Sequence, residues 1–243
     1  NPFVSKQGAR PEIWALGLRN PARLYWDPKE NQLIASVIGL YTWETVVIIH
    51  KGANYGYSMR EGNQKLETTN RTAALPSDDT IPVRLNLTQT DGTIKPTYPV
   101  IQYGHVKGGG DAVANGYVYR GKAIPALRGK YVFADISTGN IWWADYKEML
   151  AADDGDPNTM AEMHPLKIRW SKPGGSADVY GSMFAITEWA YHQRGGKAEG
   201  LPGAAKVTEG GRSDIHLWED GDGELYVFSK SDGMIRAITG GAN

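Results

Sequence analysis

The sequence predicts an all-β fold, built as a sandwich, barrel or propeller, and three observations carry that prediction. Short β-branched and aromatic runs recur along the whole chain, separated by Gly, Pro, Asn and Asp. Among 243 residues, 30 glycines, eight tryptophans and 13 tyrosines supply turn and strand chemistry, while amphipathic helices are scarce. One unit occurs twice without a gap: Gly129–Ile141 lies over Gly223–Ile235, each reading turn glycine, polar residue, apolar strand, turn with glycine, strand. Asn31 to Val37 is a looser third copy. Hairpins repeated in this way, none able to close a core alone, are the units of a β-propeller blade. At roughly 40–50 residues per blade the length supplies about four or five. The recurrence favours the propeller over the sandwich.

Residues 1–10 read as an irregular lead-in. Pro11–Pro21 starts as an alternating apolar run and reads as a strand that carries Arg19 and Asn20 to its tip, where the X-Pro step fixes the exit. Leu24–Trp26 then meets the turn Asp27–Asn31, a second strand follows over 32–38, Gly39 breaks it, and Trp43–Ile49 is the next strand. Asn54–Tyr57 leads into a long polar stretch, about 62–93, of a kind that is functional, inserted or disordered. Pro99–Tyr103 is a short strand running into the Gly-rich turn Gly104–Gly110, which carries one imidazole, His105. Ala114–Gly121, Lys130–Asp135 and Asn140–Ala144 read as strands, and Lys147–Ala152 as one or two helical turns before the acidic loop Asp153–Asp156. Residues 171–182 and 194–211 are Gly-rich connections around Met183–Tyr191, whose type the pattern leaves open. Glu224–Ser229 and Met234–Ile238 close the chain as strands.

Composition excludes several roles. The chain is 41% hydrophobic and 22% charged, as ordinary globular proteins are, and its formal net charge of -1 gives no general attraction to nucleic acid or anionic membrane. No apolar run approaches the roughly 20 residues of a membrane span. Cysteine is absent, which removes disulfides, thiolate metal sites and a cysteine nucleophile, and is compatible with export because a core of this size needs no staples. The length allows one all-β domain or two smaller ones. The chain begins Asn1-Pro2-Phe3 and reads as a processed or truncated product. Asn70-Arg-Thr72 and Asn86-Leu-Thr88 fit the glycosylation sequon. There is no Gly-x-Ser-x-Gly elbow, His-Glu-x-x-His, P-loop or dinucleotide fingerprint.

Seven stretches then stand together: Glu12–Pro21, Thr42–Glu44, Lys51–Gly56, Glu61-Gly62, Gly116–Gly121, Ile124–Asp135 and Asp220–Tyr226. They span nearly the whole chain, in the order seen in the glucose/sorbosone dehydrogenase family, and the chain resembles that family of soluble pyrroloquinoline-quinone-dependent aldose dehydrogenases. The resemblance implies a six-bladed propeller of which this chain covers about four blades. Residues 1–243 would be a partial domain whose N-terminal blades are missing. It further implies pyrroloquinoline quinone and calcium as cofactors, an aldose sugar or similar alcohol or aldehyde as substrate, a separate electron acceptor, and a periplasmic or extracellular location. The general-base histidine would belong to blades preceding the Leu-Gly-x-Arg-Asn-Pro stretch, outside this chain.

Pyrroloquinoline quinone is a flat tricarboxylate with an ortho-quinone, so its site needs cations, flat walls, a polarising metal and a base for the substrate hydroxyl. Arginine suits carboxylates because its planar fork binds bidentately. By resemblance, Arg19 and Asn20 meet the cofactor, Arg212 stands for one of the arginines before the last blade, and the main-chain carbonyls of Gly39 and Leu40 are offered to calcium. His105, Tyr41 and Trp43 are the substrate or channel candidates. The plain alternatives are that Arg19 salt-bridges a neighbouring blade, Asn20 caps a turn, and Arg212 and His105 are loop side chains. The chain reads Val37-Ile-Gly-Leu-Tyr41 where the family shows Asp-Val-Gly-Gln-Asn, and has Ser137 and Thr138 where glucose-oxidising members place a lysine. These departures support a second reading, a non-catalytic propeller serving as a binding or assembly subunit. A carbohydrate-binding module using exposed Trp is a third. Asp220-Gly-Asp-Gly lacks the further spaced ligands of an EF-hand and reads as an inter-strand turn.

Overall fold

The computed structural model describes residues 1–69, 71–106 and 108–240. The chain divides into two compact units, Asn1–Gln102 with Leu150–Met160, and Tyr103–Met149 with Ala161–Asn243.

The first unit is built on β1 (Pro21–Asp27), β2 (Gln32–Val37) and β3 (Trp43–Ile48), joined by β9 (Ile101–Gly104) in a sheet of order β1-β2-β3-β9. β1 and β2 pair antiparallel, as do β2 and β3. The Ile34–Val37 and Glu44–Ile48 runs are buried without alternation, because a central strand is covered on both faces; Ser36, Glu44 and Thr45 are their buried polar members. Ala35, Val37, Val47, Ala53 and Tyr55 form one cluster, with Ala15, Leu18 and Ile49 packed against it.

The opening stretch departs from its predicted form. Pro11–Asn20 is not a strand; it makes one isolated bridge, Leu16 to Asn54, and lies beside Gly52–Tyr57 through bonds such as Leu16 N to Ala53 O at 2.8 Å and Tyr57 N to Gly17 O at 2.9 Å. The cause is Gly17, at φ +73°, where a Cβ would meet Asn54 Oδ1 at 2.2 Å. Neither that backbone nor that approach is available to a residue in a regular strand. Arg19 and Asn20 therefore lead into β1 rather than end a strand of their own.

The polar stretch is also folded. Short hairpins fill it: β4 (Arg60–Glu61), β5 (Gln64–Leu66) and β6 (Thr72–Ala73) form one sheet, and β7 (Ile81–Arg84) with β8 (Thr90–Ile94) another. A buried triad braces them: Asp79 accepts from Arg60 Nε at 2.9 Å, from Arg60 Nη2, and from Tyr98 Oη at 2.5 Å. Strands this short carry too few residues for a period of two to register. Asn70 of the first sequon lies outside the described residues. Asn86 of the second is exposed, and its side-chain amide donates to Gly8 O at 2.9 Å.

The second unit holds β10 (Val113–Val118), β11 (Lys130–Asp135), β12 (Ile141–Asp145) and β13 (His164–Pro165) in that order in one sheet. The helix α1 (Tyr146–Ala152) begins in this unit, and β14 (Ile168–Ser171) pairs with β15 (Ala177–Tyr180). The open region resolves into the helix α2 (Phe184–Gln193). A three-stranded sheet of β16 (Ile215–Glu219), β17 (Leu225–Ser229) and β18 (Met234–Ala237) follows. Phe133 stacks between Tyr131 and Trp142, with ring centroids 5.7 and 5.6 Å away. Asn115 on β10 joins the two larger sheets, donating to Leu217 O at 2.8 Å and accepting from Leu217 N at 2.9 Å. β13, β14, β15 and β16 were not foreseen; each is short, and β14 and β15 flank a Gly-rich turn.

The sequence repeat is a structural repeat. Asp135 and Ser229 end the matching strands β11 and β17, and each side chain accepts the amides two and three residues on. Asp135 Oδ1 takes Ser137 N at 3.1 Å and Thr138 N at 2.9 Å, while Ser229 Oγ takes Ser231 N at 3.1 Å and Asp232 N at 3.3 Å. Asp220 organises the β16–β17 turn in the same manner, accepting from Asp222 N at 2.9 Å and Glu224 N at 3.0 Å.

Candidate functional site

The first unit gathers most of the predicted site residues at one corner, where Arg19-Asn20 meets the turn between β2 and β3. Ile38 N donates to Asn20 O at 2.9 Å, which ties the two segments together. Half-buried Arg19 turns its guanidinium onto the turn, Nη1 donating to Ile38 O at 3.2 Å and to Gly39 O. No carboxylate pairs with Arg19 among the described residues, so its charge is fixed in place but not neutralised. Asn20 is exposed, and its side chain makes no hydrogen bond among the described residues.

The turn's amides face the other way. Glu61 Oε1, on β4, accepts from Leu40 N at 2.9 Å, Tyr41 N at 2.8 Å, Thr42 N at 2.8 Å and Trp43 N at 3.1 Å. Glu44 Oε1 accepts from Gly39 N at 3.1 Å. Successive amides converging on one oxygen form an anion-binding nest, occupied here by the protein's own carboxylate. Both acids are buried, Glu61 at 5% exposure and Glu44 at 0%, and Glu61 Oε2 has no hydrogen-bond partner among the described residues. Gly39 permits the curl, because a Cβ there would sit 1.7 Å from Trp43 O. A cleft of about 40 Å³ opens at this corner, lined by Arg19, Gly39, Trp43, Tyr57, Arg60 and Glu61 among others. Trp43 is held by its indole N–H, which donates to Gln64 Oε1 at 2.7 Å, and Tyr41 is exposed. Arg60 is already engaged: burial pushes Asp79 up, but hydrogen bonds from Arg60 and Tyr98 outweigh it and hold that carboxyl below the usual range.

Arg212 and His105 belong to the second unit. Arg212 Nε donates to Asp214 Oδ1 at 2.8 Å, an ion pair that neutralises it. His105 is half-buried in the turn after β9. Ser137 and Thr138, at the position where a lysine was expected from the family pattern, serve the Asp135 turn; Thr138 Oγ1 donates to Asp135 Oδ1 at 2.9 Å. Among the described residues no group of three or more His, Asp or Glu could hold a metal ion.

The Glucose / Sorbosone dehydrogenase family pattern matches residues 1–169. The chain belongs to the glucose/sorbosone dehydrogenase family. Within it, 185 residues, 73% of this chain and 24% of the relative, are 32% identical to "HIPL2 protein" of Arabidopsis thaliana. A further 59-residue match, 24% of this chain and 16% of the relative, is 39% identical to "Aldose sugar dehydrogenase YliI" of Escherichia coli K12. A glucose dehydrogenase crystal structure superposes with a TM-score of 0.57 at 16% identity, covering 100% of this chain and 51% of that one. The soluble aldose sugar dehydrogenase of Escherichia coli in its apo form gives 0.55 at 16% identity, covering 98% and 50%. The fold is thus that of the sugar dehydrogenase β-propellers. The chain spans about half the length of these structures and about a quarter or less of the curated relatives.

The residues present fit one family cofactor better than the other. Arg19 and Asn20 fit the anionic, carbonyl-bearing edge of pyrroloquinoline quinone: one is a fixed cation without a counter-ion, the other an amide without a partner. The Gly39 carbonyl does not fit calcium as the turn stands, because the Arg19 guanidinium already lies on it. Glu44 and Glu61 lie in stretches shared with the family, but the sequence alone assigns them no role. The signal was two acidic residues inside otherwise apolar or glycine-rich runs, and only the folded turn shows which amides they serve.

Proposed function

We propose that this chain is a partial β-propeller, about four blades of a six-bladed whole, acting in an exported quinoprotein that oxidises an aldose sugar or a similar alcohol or aldehyde. The observation supporting this is the Arg19 guanidinium, held by backbone carbonyls and matched by no carboxylate. Pyrroloquinoline quinone, when bound, supplies the hydride acceptor. Arg19 receives an anionic oxygen of the cofactor through its remaining N–H groups and keeps it in one orientation. Asn20 adds a neutral donor beside it. Trp43, clamped by Gln64, and Tyr57 give the cleft flat apolar walls that exclude water and strengthen those bonds. The base for the substrate hydroxyl, and the rest of the propeller, come from N-terminal blades of the same protein; the electron acceptor is a separate partner.

The test is a titration of the complete protein with pyrroloquinoline quinone, followed by tryptophan quenching and by sugar-dependent dye reduction. Saturable quenching, weakened at least tenfold by Arg19→Met, with turnover, is the expected result. A second reading, the non-catalytic binding or assembly propeller, is favoured by the state of the other cations: Arg212 is neutralised by Asp214, and Ser137 and Thr138 replace a lysine. Absence of both quenching and turnover selects it.

A further inference from the structure

We infer that the Arg19 guanidinium itself holds the cation position on the Ile38 and Gly39 carbonyls, so that this corner takes an anionic ligand without a metal ion. The inference rests on the proposed cofactor role of the corner, and three observations lead to it. Two carbonyls converge on one nitrogen, Arg19 Nη1, at 3.2 Å from Ile38 O and closer from Gly39 O. A divalent ion on the same oxygens would lie within contact distance of a permanent positive charge, since arginine does not deprotonate.

Calcium also needs six to eight oxygens. Glu61 Oε1 and Glu44 Oε1 accept five backbone amides, Gly39 through Trp43, so these two oxygens are spent on the chain. Leu40 and Tyr41 bring no carboxylate. Finally, Arg19 Nε and Nη2 make no hydrogen bond among the described residues, which leaves the outer face of the fork for a carboxylate or quinone oxygen. One side of the guanidinium thus replaces the metal and the other receives the ligand.

The test uses the complete protein and three readouts. Terbium(III), a luminescent stand-in for calcium, is excited through Trp43, which lines the cleft. The expected emission equals that of Trp43→Phe; emission that depends on Trp43 and is displaced by calcium overturns the inference. Thermal unfolding in chelator compares Arg19→Met with Arg19→Lys: the methionine variant is expected to melt several degrees lower, with lysine recovering part of the loss. Equal melting of the two overturns the inference, because the carbonyls would then need no cation. Pyrroloquinoline quinone quenching is measured with calcium and with chelator. Equal affinity supports the inference, and binding that requires calcium overturns it while leaving the proposed function standing. No quenching in either condition removes the proposed function, and the first two readouts still decide the inference.

Discussion

The β2–β3 turn and the β11–β12 turn occupy matching places in their sheets, and one buried carboxylate organises each, but the two use that carboxylate differently. Asp135 ends the strand that leads into its own turn and satisfies both oxygens. Oδ1 accepts Ser137 N, Thr138 N and Thr138 Oγ1, while Oδ2 accepts Tyr103 Oη at 3.1 Å and the amides of Asp111 and Ala112 at 2.8 Å each. Glu61 reaches its turn from β4, some 20 residues away in sequence, and puts four amides on one oxygen while the other has none. A turn closed by its own residue repeats with the hairpin, as Ser229 shows in the next sheet. A turn held from outside is free to present something else, and here it presents two carbonyls to a guanidinium. The local device builds the scaffold; the remote one builds the corner.

Asp135→Ala should have the largest effect. It strands the amides of Asp111, Ala112, Ser137 and Thr138 and the Tyr103 hydroxyl in a buried place, and should cost about 3–5 kcal/mol in denaturant unfolding. Glu61→Ala should follow, at about 3 kcal/mol, because the four orphaned amides lie beside a cleft that water can reach. Glu61→Gln separates the two turns more sharply. Its carbonyl oxygen can keep the amides and its NH2 replaces the oxygen that lacks a partner, so the expected loss is under about 1 kcal/mol. Equal losses for Gln and Ala would show that the charge, not the acceptor geometry, holds the turn.

Arg19→Met should cost less than Glu61→Ala, about 2 kcal/mol, since two charge-assisted bonds at a half-buried place are lost and the carbonyls regain water. A loss below about 0.5 kcal/mol would mean that the turn stands without its cation and would dissolve the contrast between the corner and the Asp135 turn.

How much of this was legible in the sequence follows from the same contrast. The Gly129–Ile141 and Gly223–Ile235 hairpins could be read because their turns are closed locally, and local chemistry leaves a local pattern. Arg19 and Asn20 were picked out because a cation, an amide and a proline in succession are unusual before a strand. Their true setting was hidden, since the positive φ of Gly17 shows only in the folded chain. Glu61 was invisible as the anchor of residues 40–43, because nothing in a sequence ties a carboxylate to amides 20 positions away. The short strands β5 to β8 were lost to their length, being too brief for alternation to be told from chance.

The smallest expected effect tests whether remote ties are general in the first unit. Its Leu150–Met160 segment is fastened by three side chains from separate places: His50 Nε2 to Asp153 Oδ2 at 2.5 Å, Asn63 Nδ2 to Pro157 O at 2.8 Å, and Lys95 Nζ to Gly155 O at 2.7 Å. The hydrogen bond to Asp153 raises the His50 pKa above its ordinary value, partial burial opposes it, and the Asp153 charge adds to the rise. A histidine whose folded pKa exceeds its unfolded one stabilises fully below the unfolded value, about 6.5, and loses that contribution as pH rises through the folded value. The pair is partly exposed, so the change is small and salt weakens it. Amide exchange across 150–160 should therefore be slower at pH 6 than at pH 8, after correction for intrinsic rates, and His50→Gln should erase the difference. If the wild-type segment shows no pH dependence, the Asn63 and Lys95 bonds alone hold it, and the tie does not respond to protonation.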